Sequence, residues 1–158
     1  MTLSPRLRAV LDLVPATTSA ADIGSGHGRL AAALAGRGMR VVATERTPAS
    51  FALLRADLAR GAAGVEARLG DGLGALANGE VEVAVIAGLG GRGIQRILDR
   101  APWLPGCLVL QPMQDAHLLA AWLDARHWCR SEERIAERGR WYLGWRVDVP
   151  VRDRVAAW

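Results

Sequence analysis

The sequence contains no lysine: all 20 of its basic residues are arginine. A codon or growth-temperature bias accounts for that absence, but it has a physical consequence. Every positive side chain is a planar guanidinium, a fork suited to phosphate and to stacking on bases. Cysteine is nearly absent too. Cys107 and Cys129 have neither metal-ligand nor redox spacing, which speaks against a disulfide or a zinc site; each falls in an apolar run where a free thiol acts as a small hydrophobe. No apolar run approaches the ~20 residues of a membrane span, so no membrane partner is expected. Residues 1–15 scatter arginines among leucines with no h-region or small-residue cleavage site, so no signal peptide is read and a cytoplasmic location is expected. Repeats, low-complexity segments and linkers are also missing. What is present is ordinary for a globular chain: 158 residues, 51% hydrophobic and 23% charged. A chain of about 150 residues buries roughly 70% of its unfolded surface, enough for one core. The expectation is a single domain over residues 1–149, opened by a short helix, and a partly ordered tail over 150–158. A formal charge of +4 and a pI near 10.3 fit a nucleic-acid partner without proving one.

Periodicity supplies the element order. Leu3, Leu7, Val10, Leu11 and Val14 recur at helical spacing, with Ser4-Pro5 as cap and first helical residue. Strands are predicted at 20–23, 40–44, 65–69, 81–87 and 107–110, and helices at 28–37, 47–60 and 94–100. A short helix follows 70–72, and another spans 116–126. Gln111-Pro112 is expected to end the fifth strand. The stretches 129–135 and 141–149 read as a hairpin around Arg138-Gly139-Arg140, and Trp122, Trp128, Trp141 and Trp145 are expected in the core. Five strand–helix alternations plus a hairpin predict an α/β fold: a doubly wound, mostly parallel seven-stranded sheet with an antiparallel C-terminal hairpin. Ligands of such sheets bind beyond the carboxyl ends of the strands, where the strand order reverses.

The informative segments fall at those ends. Asp22-Ile23-Gly24-Ser25-Gly26-His27-Gly28 closes an apolar run and opens a helix. Glycines let the backbone turn sharply and approach a bound molecule, and the helix N-terminus offers free N–H groups. A dinucleotide fingerprint would require glycine at position 29, where this chain has arginine. Glu45 ends the second strand and is placed to accept hydrogen bonds from ribose hydroxyls, with Arg46 beside it. Asp71, before Gly72, suits an adenine amino group and also suits a helix N-cap. The glycine-rich Ala87-Gly88-Leu89-Gly90-Gly91 allows a flat base to lie against backbone. Gln111 and Pro112 add polar contacts there, and His27 is a candidate base or acceptor contact. Arg6, Arg8, Arg92, Arg96 and Arg100 are candidates for a phosphate-binding rim. No metal site is expected.

The spacing Asp-x-Gly-x-Gly-x-Gly resembles the first motif of class I methyltransferases that use S-adenosylmethionine (SAM). Over nearly the whole chain, the sequence is similar to the bacterial tRNA methyltransferases that modify N1 of adenine 22. The resemblance rests on Leu3-Ser4-Pro5-Arg6-Leu7, Ala21-Asp22-Ile23-Gly24-Ser25 with His27, and Leu69-Gly70-Asp71-Gly72-Leu73. It continues through Ile86-Ala87-Gly88-Leu89-Gly90-Gly91, Leu110-Gln111-Pro112, and Gly139 with Tyr142. It implies a Rossmann-like fold, SAM as cofactor and an adenine of tRNA, or another RNA base, as acceptor. Asp22, Gly24, Ser25, Gly26, Glu45, Arg46, Asp71, Gly72, Ala87 and Gly88 would then hold SAM. His27, Gly90, Gln111 and Pro112 would meet the acceptor, and Arg6, Arg8 and Arg92 the RNA. A monomer or weak dimer is expected.

Three departures qualify what carries over. The family has an aspartate, the expected proton acceptor, where this chain has Gly26; it has asparagine where this chain has Met113; and it carries a helical C-terminal domain that helps hold tRNA, while this sequence stops at Trp158. Adenine N1 already has a lone pair, so a slower or differently assisted enzyme is expected, with His27 as substitute, and tRNA affinity is not carried over in full. Two other readings stay open: a methyltransferase for a protein or small molecule, and a SAM-binding module that holds RNA without turnover.

Overall fold

A computed structural model of the protein describes residues 2–155. Seven strands form one sheet in the order β3-β2-β1-β4-β5-β7-β6. β1 (Ser19–Ile23), β2 (Arg40–Glu45), β3 (Val65–Leu69), β4 (Val83–Leu89) and β5 (Cys107–Pro112) pair in parallel. β7 (Arg140–Asp148) runs antiparallel to β5, and β6 (Arg130–Glu137) antiparallel to β7. The chain winds outward from β1 to β3, then returns to place β4 on the other side of β1. The strand order therefore reverses between β1 and β4, and a crevice opens at their carboxyl ends.

Alternation along each strand feeds two apolar layers. Ala20, Val41, Val83, Val85 and Val109 face α1 (Pro5–Leu13), α2 (Arg29–Gly36) and α3 (Pro48–Leu58). Ala21, Ile23, Ala84, Ile86, Leu108 and Leu110 face α4 (Gly91–Arg100) and α5 (Ala116–Ala125). Side chains cap α1 and α3: Ser4 accepts from the Leu7 N–H at 3.3 Å and Thr47 from the Ser50 N–H at 3.2 Å, each with proline next. α2, α4 and α5 have no side-chain cap, and their N-termini lie at the carboxyl edge of the sheet. At the far edge, Arg68 of β3 holds Glu80 with two nitrogens at 2.6 and 2.8 Å, which pushes the Glu80 carboxyl down to about 2.

Several expectations are corrected. β4 starts at Val83 rather than 81 and continues through Gly88 and Leu89, by a register shift between Ala87 and Leu89. β5 runs on past residue 110 to include Gln111 and Pro112, and ends at Pro112. Pro112 lacks an N–H, and Met113 makes the next hydrogen bond, to the Leu89 carbonyl at 2.8 Å. Cys129 is exposed, and of the four tryptophans assigned to the core only Trp122, Trp128 and Trp145 are buried. Trp141 is 66% exposed because the hairpin runs on past its helix cover. Within the segment read as a tail, Val151–Asp153 forms a single 3₁₀ turn and Val155 bridges Trp103; residues 156–158 lie outside the described residues. Among the described residues no helix is long and apolar enough to cross a membrane.

Candidate active site

The β1–α2 loop is tied to β2 at its base: the Gly24 and Ser25 N–H groups both donate to the Thr44 carbonyl at 3.0 Å. Gly24, Gly26 and Gly28 all adopt φ between +61° and +71°. Gly28 has a second reason to be glycine, since a Cβ there would lie 2.7 Å from a methyl of Leu58. The bare backbone lets the loop before α2 pack closely on α3. Beneath the loop sits Asp22, 4% exposed, accepting from the Ser25 hydroxyl at 2.6 Å. Burial pushes its carboxyl up to about 6, against the opposing effect of the hydrogen bonds from Ser25 and the Ala31 backbone.

Two cavities share Gly24. The larger, about 560 Å³, lies between the ends of β1, β2 and β3 and the start of α4. It brings together Gly24, Glu45, Arg46, Asp71, Gly72, Gly90 and Arg92, as the sequence predicts, and adds Ile23, Leu89 and Ile97 as apolar wall. One oxygen of Glu45 accepts from the Gly26 N–H at 2.5 Å, leaving the other available. Asp71 precedes a 3₁₀ turn (Gly72–Ala75) but makes no capping hydrogen bond, so its carboxylate is also available. Arg46, Arg92, Arg96 and Arg100 line the same cavity.

The second cavity, about 440 Å³, gathers Arg6, Asp22, Ser25, Gly26, His27 and Ala87. Arg6, expected on a phosphate rim, is instead largely buried. It donates from Nη1 to the Gln111 side-chain oxygen at 2.7 Å, its backbone N–H bonds Glu137 at 3.1 Å, and its buried Nε is ion-paired with the Glu137 carboxylate at 3.5 Å without a hydrogen bond. His27 holds Asp57 of α3 through Nδ1 at 2.7 Å. Gln111 is fully buried and lines neither cavity. Its amide nitrogen already bonds the Pro112 carbonyl and the Met113 sulfur, so it fixes Arg6 and cannot also reach an acceptor. Gly88 stands near Arg6, while exposed Arg8 and buried Pro112 line neither cavity.

A parallel doubly wound sheet with a glycine loop, two strand-end carboxylates and two adjoining cavities at the switch point suits a nucleoside-bearing ligand. The family description that matches residues 3–143 is a methyltransferase domain. The chain belongs to the methyltransferase-domain family. It is 32% identical over 142 residues to the tRNA (adenine(22)-N(1))-methyltransferase of Bacillus subtilis strain 168, covering 85% of this chain and 60% of that protein. This methyltransferase domain thus spans less than two thirds of the curated relative's length. The crystal structure of the B. subtilis m1A22 tRNA methyltransferase TrmK superposes with a TM-score of 0.83 at 29% identity, over 96% of this chain and 68% of that one. Sp1610 of Streptococcus pneumoniae, solved in complex with S-adenosyl-L-methionine, gives 0.84 at 29% identity, over 93% and 73%.

Sequence reasoning missed several residues of this domain that line the larger cavity: Thr44, Thr47, Ile97, Gln114 and Asp115. Ile97 was readable, because α4 is strongly amphipathic and Ile97 borders its apolar stripe of Ile94 and Leu98. Asp115 was not, since it reaches the cavity only through a left-handed backbone at φ 54°.

Proposed function

We propose that this chain is a SAM-dependent RNA methyltransferase acting on N1 of an adenine in tRNA. The observation that carries the reading is the pair of cavities meeting at Gly24, one with two available carboxylates and one lined by the Arg6 guanidinium. Glu45 and Asp71 fit the ribose and adenine of SAM, and the Arg6 guanidinium, which lines the second cavity, fits the carboxylate of its amino-acid end. When bound, SAM supplies an electrophilic methyl group on a sulfonium that departs as a neutral thioether. Adenine N1 brings its own lone pair, so the chain's task is chiefly to orient; orientation alone contributes roughly 7–11 kcal/mol. With its Nδ1 proton given to Asp57, His27 offers Nε2 to take a proton from the methylated base. The arginines of α4 and Arg46 stand at the mouth of the larger cavity, where RNA phosphates pass.

Replacing Glu45 with alanine removes a charged hydrogen-bond acceptor from both the loop and the ligand. SAM affinity, read by calorimetry, is expected to fall about ten- to a hundredfold, the equivalent of ~1.5–3 kcal/mol. An unchanged affinity would show that the ribose is held elsewhere. The reading as a whole is tested by transfer of labelled methyl from SAM to unmodified tRNA, followed by digestion. N1-methyladenosine is the expected product. Absence of label in RNA, with SAM binding intact, would sink the tRNA assignment.

A further inference from the structure

β6 and β7 do more than close the sheet. Leu110 of β5 pairs with Trp145, and β5 ends two residues later at Pro112. Trp141 lies four residues beyond Trp145 in the same direction, about 13 Å at the rise of a strand. The hairpin therefore projects past the carboxyl edge of the sheet, two strand positions from the β4–α4 loop, or on the order of 10 Å sideways. Its tip carries Arg138, Gly139 and Arg140, all exposed. Trp141 shares a sheet face with Leu143, Trp145 and Val147, the face on which α5, Gln114 and Asp115 lie. Unlike those neighbours it is 66% exposed, and the Arg134 guanidinium sits over its ring at 5.1 Å from the centroid.

An exposed indole under one guanidinium, with two more arginines at the adjoining turn, is the composition of a surface that stacks an unpaired base and holds the adjoining phosphates. Among the described residues, fewer acids than arginines are left without an ion pair nearby. Glu137 is engaged by Arg6 and Ser4, Glu132 accepts from the Trp145 indole N–H at 2.7 Å, and Glu133 pairs with Gly144 on the opposite face. Arg134, Arg138 and Arg140 form no ion pair among the described residues. We propose that the β6–β7 hairpin tip is an RNA clamp in which Trp141 stacks on a base flanking the acceptor nucleotide while Arg134, Arg138 and Arg140 hold its phosphates. This rests on the RNA reading above and adds a second contact on the acceptor side, away from both cavities.

The test is binding of fluorescently labelled, unmodified tRNA to the full chain, measured by anisotropy across a salt series. Trp141→Ala is expected to weaken binding about tenfold or more without altering the salt slope, because stacking releases no counterions. Trp141→Phe should recover most of the loss. The double substitution Arg138→Gln and Arg140→Gln should lower the slope of log K against log salt by about 1–2. Melting temperatures should match the parent, since these side chains are exposed. If the parent binds tRNA and Trp141→Ala binds it within twofold, the clamp is overturned while the RNA reading stands. If Trp141→Ala sediments as a smaller species than the parent, the indole is a protein contact and the clamp is overturned. A parent that binds no tRNA overturns both.

Discussion

Gly91→Ala is expected to lower the melting temperature by roughly 6–12 °C and to cripple SAM binding, although it adds one methyl group. Gly91 is buried at the start of α4, and its N–H donates to the Gln114 carbonyl at 2.8 Å. A Cβ there would collide with the backbone of Asp115, falling 2.9 Å from its carbonyl carbon and nearer still to its oxygen. Neither side can yield cheaply. Asp115 is held at φ 54° at the head of α5, and both loops line the larger cavity. Overpacking against backbone belongs at the upper end of its usual range, about 3 kcal/mol, and a domain of this size loses about 2–4 °C per kcal/mol. Gly36→Ala provides the control. It sits in α2 with nothing within 4 Å of the added methyl, and it should stabilise by about 0.5–1 kcal/mol through helix propensity. Equal effects of the two substitutions on melting would refute the backbone-contact explanation.

The 88–91 glycines also show where the sequence was readable and where it was not. Their place after a buried strand, and the positions of Asp22, Glu45 and Asp71 at strand ends, follow from local pattern: an apolar run, a turn residue, a helix. The reason for Gly91 does not. It lies in a contact with residues 114 and 115, reached only because β4 and β5 are neighbours in the sheet. Arg6 repeats the point. On a helix near the N-terminus it read as a surface cation, yet its partners lie 105 and 131 residues away in sequence, at Gln111 and Glu137. Trp141 erred the other way. Its alternation with Leu143 and Trp145 is that of a core strand, but periodicity does not say where the covering helix stops. Spacing assigns faces and ends; pairing between distant segments decides which side chains are buried there.

Asp22→Asn should reveal the strain of a buried carboxyl through its pH dependence. The Asp22 carboxyl is raised from 3.8 to about 6 chiefly by burial, so the folded state binds its proton more tightly than the unfolded chain does. The stability that this proton confers is fully present below about 3.8 and is lost as the pH rises toward 6, a change of about 3 kcal/mol at 1.36 kcal/mol per pH unit. Glu66, Glu80 and Glu137 act oppositely, because arginine or hydrogen-bond partners hold their carboxyls low; they lend stability that is lost as the pH falls below about 4.5. They are common to parent and variant and cancel in the difference. The melting temperature of Asp22→Asn relative to the parent should therefore climb by roughly 6–12 °C between pH 4 and pH 7. Loss of one acceptor for Ser25 or Ala31 adds a constant offset that leaves this slope unchanged. A flat difference would mean that the carboxyl titrates normally. A buried negative charge is tolerated at neutral pH if a ligand offsets it, and the sulfonium of the proposed donor is a cation. SAM should thus raise the melting temperature of the parent more than that of Asp22→Asn at pH 7, and equally at pH 4, where both side chains are neutral. Equal stabilisation at both pH values would assign the Asp22 charge to the loop alone.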